Sequence, residues 1–141
     1  MKRLAAVTML AAAFAANAHE GDHGADLLGS EISIYTENAT TSALTFEFVT
    51  NNNTVEKAAA NPLEPGQTDH MVLKTHLPVL SDITYRYGDK NSQQVCEFAV
   101  THLVLGYNAK ANSVGSKSAD CVVVQAPAAE GTAITARFKM Q

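Results

Sequence analysis

From residue 31 onward the chain alternates apolar and polar positions in short runs, the period-two pattern of β-strands that bury one face. Ile32 and Ile34 share a side in the first run. In residues 42–50, Leu44, Phe46 and Phe48 face one way while Thr45 and Glu47 face the other. Asn38-Ala39-Thr40-Thr41 between these runs predicts a hairpin connection. Residues 68–77 set Met71, Leu73 and Thr75 against His70, Val72, Lys74 and His76, until Pro78 ends the strand or confines it to an edge. Ile83, Tyr85 and Tyr87 alternate in residues 82–87, which turns Arg86 toward water. Residues 94–105 form the longest and most apolar strand candidate, and residues 120–125 are a short valine run. Residues 132–140 place Ile134, Ala136, Phe138 and Met140 opposite Thr135, Arg137 and Lys139.

Between these runs lie connections. Asn51-Asn52-Asn53, Pro65-Gly66, residues 88–91 and residues 127–131 read as turns. Residues 55–60 read as a short helical turn or irregular segment that stops at Asn61-Pro62. Residues 106–119, rich in Gly, Asn, Ser and Lys, read as a long loop. About seven strands at regular spacing, with no βαβ crossover, predict an all-β fold: one antiparallel β-sandwich, immunoglobulin-like or a closed-barrel variant, over residues 31–141.

The start of the chain has a different texture. Met1-Lys2-Arg3 is basic, Leu4 to Ala16 is apolar, and Ala16-Asn17-Ala18 offers the small residues of a cleavage site, so residues 1–18 read as a signal peptide. The apolar run is too short for a membrane span, and no transmembrane segment is expected after cleavage. Residues 19–30 read as a flexible arm of Gly, His, Asp and Glu, with Leu27 and Leu28 as its apolar anchors. The expected product is therefore soluble and periplasmic or secreted.

Charge narrows the partners. The formal net charge is −4, and losing the two basic residues Lys2 and Arg3 with no acidic one takes it to −6. Phosphate binding needs clustered Lys and Arg, so no nucleic-acid partner is expected. The chain has no Trp, and its five Phe and four Tyr form no belt, which argues against a sugar-stacking platform. Cys96 and Cys121, an even pair without C-x-x-C spacing in an exported chain, predict a disulfide.

Cleavage after Ala18 would leave His19 with both a free α-amine and an imidazole, close in sequence to His23, Glu20, Asp22 and Asp26. Copper(II) favours such nitrogen donors in a tetragonal arrangement. With its all-β pattern, the chain here resembles periplasmic copper-binding β-sandwich proteins and copper monooxygenases that begin with a ligand histidine. The resemblance implies copper as a cofactor, with His19, His23 and possible completion by His70 as the metal residues. It has a limit, since the small copper carriers place a carboxylate and a histidine one residue apart late in the chain, whereas Asp69-His70 are adjacent and mid-chain. His70 and His76 read as surface histidines, and His102 shares the parity of Cys96, Phe98 and Val100, which places it in the core. No G-x-S-x-G or other catalytic signature occurs, and no catalytic residue is assigned. The function expected first is a non-enzymatic binding module that meets a protein or glycan through the segments 51–68 and 106–119 or through an open sheet edge. The alternative is copper binding through the mature N-terminal histidine.

Overall fold

The computed structural model describes residues 31–75, 81–103 and 106–141. These build nine strands: β1 (Glu31–Asn38), β2 (Thr45–Asn51), β3 (Thr54–Lys57), β4 (Thr68–Lys74), β5 (Asp82–Asp89), β6 (Gln94–Leu103), β7 (Gly106–Ser113), β8 (Cys121–Glu130) and β9 (Ala133–Met140). They form a five-stranded sheet in the order β3-β4-β1-β9-β8 and a four-stranded sheet in the order β2-β5-β6-β7. The sheets face each other as a sandwich, not a closed barrel. The nine strands pair antiparallel except for β1 and β9, which run parallel with Ile32 opposite Ile134. Among the described residues no helix is long and apolar enough to cross a membrane.

The alternation seen in the sequence is what fills the core. Ile32, Ile34, Met71, Leu73, Ala136, Phe138 and Met140 enter from one sheet, and Ile83, Tyr85, Tyr87, Phe98 and Val100 from the other, all buried. Rings of Tyr85, Phe98 and Phe138 meet across the gap with centroids 5.0 to 6.1 Å apart. The phenol of Tyr85 can lie inside because Thr36 Oγ1 is 2.8 Å away as a hydrogen-bond partner. Among the described residues every buried side-chain polar atom has a partner. Cys96 on β6 and Cys121 on β8 form the expected disulfide, which ties one sheet to the other.

Two strands beyond the seven come from segments read as connections. Residues 106–113 are β7, with Tyr107, Ala109 and Ala111 packed toward the core and Asn108, Lys110 and Asn112 between them. The alternation is present, but alanine carries a weak apolar signal. Residues 54–57 are β3, an exposed edge strand and not a helical turn. Nor is Asn38–Thr41 a hairpin, because β1 and β2 belong to different sheets. It is a crossing, organised by buried Asn38, whose Nδ2 donates to the carbonyls of Ser42 and Leu63 while its Oδ1 accepts from Thr40 N and Oγ1. Residues 88 and 89 complete β5, and the turn begins after them. β8 continues through Pro127 to Glu130, and its register shifts twice between Val123 and Ala128, as befits proline in an edge strand. The turn falls instead at Gly131, at φ 65°.

Candidate functional site

Among the described residues, no further strand lies on the edge of the sandwich formed by β2 and β3: β2 pairs there only with β5, and β3 only with β4. At the start of β2, Leu44 exchanges both backbone hydrogen bonds with Leu63, and Phe46 N donates to Asn61 Oδ1 at 3.2 Å. The connection through residues 58–66 thus caps the outer side of Leu44 and Phe46. It is fastened by Asp69, whose Oδ1 accepts from Ala60 N at 3.0 Å and whose Oδ2 accepts from the Tyr87 hydroxyl at 2.9 Å. In an antiparallel ladder alternate residues point their N–H and C=O to the same side, so Phe48 aims its backbone groups along the same free edge. The cap does not reach it.

Both edge strands carry exposed apolar side chains. Phe48 is 39% exposed, Val49 43% and Val55 38%. Phe48 lies edge-on to Phe46, with centroids 4.8 Å apart, and Phe46 leans in turn on Tyr85 and Tyr87. Val49 is the extra residue of a bulge between Phe48 and Thr50. Such a bulge bends an edge strand and limits long edge-to-edge pairing. The asparagine turn that joins β2 to β3 is anchored to the start of β5: Asn52 Oδ1 accepts from Asp82 N, and Asn53 Oδ1 accepts from Ser81 Oγ. A cleft of about 390 Å³ adjoins the capped part of the edge, lined by Phe46, Glu47, Asn61, Arg86, Gly88 and Lys90 among others. There the Arg86 guanidinium pairs with Glu97 at 2.7 Å and Glu47 at 3.4 Å.

A polar row crosses the outer face of the five-stranded sheet. His70 on β4 stacks on Tyr35 of β1, with centroids 4.2 Å apart and planes 5° from parallel. The guanidinium of Arg137 on β9 covers Tyr35 at 4.3 Å and donates from Nε to Gln125 Oε1 on β8. Strand register aligns these residues, because His70, Tyr35 and Arg137 are direct neighbours in adjacent strands. His70 Nε2 is 3.2 Å from Ser33 Oγ and Nδ1 is 3.4 Å from Lys57 Nζ. Burial lowers its pKa first, Lys57 next, with Asp69 and Glu31 opposing.

The sequence-derived residues therefore fall in separate places. His19, His23 and His76 lie outside the described residues. His70 is a half-buried member of the polar row, and Asp69 points to the opposite face, so the neighbouring pair does not converge. His102 is half-buried and not in the core: it stacks on Tyr107 at 4.2 Å, near the end of the ladder where β6 and β7 meet. Among the described residues no three or more His, Cys, Asp or Glu side chains gather as a metal site. Sequence reasoning missed Val55, Lys57, Tyr35 and Arg137. Period two set Arg137 opposite the inward residues of its strand, but only register shows that it meets Tyr35.

No family model matches the chain, and no curated protein does.

Proposed function

We propose that this protein is an exported binding module, not an enzyme, and that it binds a protein partner by taking an extended segment of that partner along the open edge at Phe48. The observation that carries the reading is the stretch of β2 beyond the cap, where, among the described residues, no second strand takes up the outward backbone groups, and where Phe48 and Val49, like Val55 on β3, are exposed. Strand addition uses both features, main-chain hydrogen bonds for affinity and side-chain contacts for selectivity. Export is supported by the signal-like residues 1–18 and is compatible with the disulfide. Burial raises the pKa of the Tyr85 and Tyr87 phenols, which serve structural contacts, and the bond to Glu97 raises that of Arg86.

The test is site-specific photocross-linking of the full chain expressed in its own cells. Val124 on β8 serves as control, since it is 56% exposed but sits at the other side of the sandwich. A cross-linker at position 49 or 55 is expected to capture the same partner, through a partner peptide with alternating apolar residues, while position 124 captures none. Equal capture at all three positions, or none at 49 and 55, contradicts the reading.

A further inference from the structure

We propose that the partner's segment docks by its C-terminus: it runs antiparallel to β2 at Phe48, and its terminal carboxylate enters the cleft beside Asn61 and Lys90. This rests on the binding reading and adds to it the direction of the segment and the group at which it ends.

The cap sets both limits. Leu63 pairs antiparallel with Leu44, and Asn61, two residues earlier, meets Phe46. The cap therefore runs antiparallel to β2 and begins at the level of Phe46. A strand added at Phe48 lies in line with it. Antiparallel pairing is the direction that the cap itself takes, and the more stable one per residue. A segment in that direction travels from Asn51 toward Phe46 and reaches Asn61 with its C-terminal end. Asn61 already holds the next place on the edge, since its Oδ1 accepts the Phe46 N–H where a strand would present a carbonyl. The added chain must end there or leave the edge.

The cleft of about 390 Å³ lies at that point, with Phe46, Asn61 and Lys90 among its lining residues. What it offers depends on which polar atoms are already engaged. A backbone N–H only donates, so Asn61 must turn Oδ1 to Phe46, and its Nδ2 keeps both N–H donors. Lys90 is exposed directly after β5. Among the described residues neither Asn61 Nδ2 nor Lys90 Nζ has a hydrogen-bond or ion-pair partner. The two carboxylates of the cleft are engaged, Glu47 with Arg86 at 3.4 Å and Asp89 Oδ1 with the Asn91 N–H at 2.8 Å. Arg86 gives its shorter contact, 2.7 Å, to Glu97. The capacity left over is donors and one positive charge. A carboxylate, which only accepts, matches it, and an N-terminal ammonium, which only donates, does not.

The experiment adds position 47 to the photocross-linking of the full chain in its own cells. Glu47 lines the cleft but supplies none of these donors, so a cross-linker there leaves Asn61 and Lys90 in place. Captured peptides are identified by mass spectrometry. Position 47 is expected to capture the partner's own C-terminal peptide, and position 49 the same peptide at residues further from its end. Asn61→Asp keeps the acceptor for Phe46 and replaces the donor by a negative charge; Lys90→Gln removes the positive charge at an exposed position away from the cap, so it serves even where Asn61→Asp loosens the cap. Each is expected to lower capture at position 49 about tenfold, the scale of a lost hydrogen bond to a charged group. An internal or N-terminal peptide at position 47, or capture at position 49 that Lys90→Gln leaves unchanged, overturns the carboxylate site while strand docking stands. No capture at position 49 in the otherwise unaltered chain removes docking itself, and this inference with it.

Discussion

The two sides of the sandwich solve the same edge problem in opposite ways. On the β7–β8 side the sheets are stitched together. The disulfide joins β6 to β8 and Gln94 Nε2 donates to Ser118 O at 2.7 Å, while within the five-stranded sheet Asp120 and Gln141 exchange backbone hydrogen bonds that extend the β8–β9 ladder. Gly115 lets this connection lie flat on β6, since a Cβ there would run into the Gln93 carbonyl. On the β2–β3 side no disulfide joins the sheets. The cap over residues 58–66 covers Leu44 and Phe46 and then stops. One side is closed for stability, and the other keeps backbone and apolar groups available.

Breaking the closed side should cost most. Replacing both cysteines by alanine removes a cross-link with a sequence separation of 25, which in the loop-entropy account lowers stability by about 3.5 kcal/mol. Urea melts of the paired variant would measure it. A loss below about 1 kcal/mol would mean that the hydrogen-bonded stitching carries that side alone. Asp69→Ala attacks the fastening of the cap, leaving Ala60 N–H without its acceptor and Tyr87 with only the Ala60 carbonyl within reach. A destabilisation of about 2 kcal/mol is expected. Faster exchange at Leu63 should accompany it in the same sample. Smallest is Val49→Lys on the open side, at an exposed bulge position, expected to change stability by less than about 0.5 kcal/mol while abolishing capture by a cross-linker at position 55.

Much of the closed, packed part of the molecule was legible in the sequence. Alternation named the inward residues of β1, β4, β5 and β9, and an even pair of cysteines in a chain read as exported named the disulfide. What escaped was governed by pairing between distant segments. β7 was hidden because Ala109 and Ala111, which pack toward the core beside Tyr107 along the strand, carry a weak apolar signal, and β3 because four exposed residues have no buried face to report. Asp69 and His70 are adjacent in sequence, yet period two sends one to the cap and the other to the polar row. The open edge was anticipated as a kind of site, but its position depends on where Leu63 and Asn61 end their cover, which only the fold supplies.

Backbone hydrogen exchange of the free protein, read residue by residue along β2, tests the central claim most directly. The account predicts that the amides of Leu44 and Phe46, which donate to Leu63 and Asn61, exchange slowly, and that the amide of Phe48 exchanges at close to its intrinsic rate. Protection of Phe48 as strong as that of Leu44 would mean that the edge is already occupied within the molecule, and the docking site proposed for it would not exist.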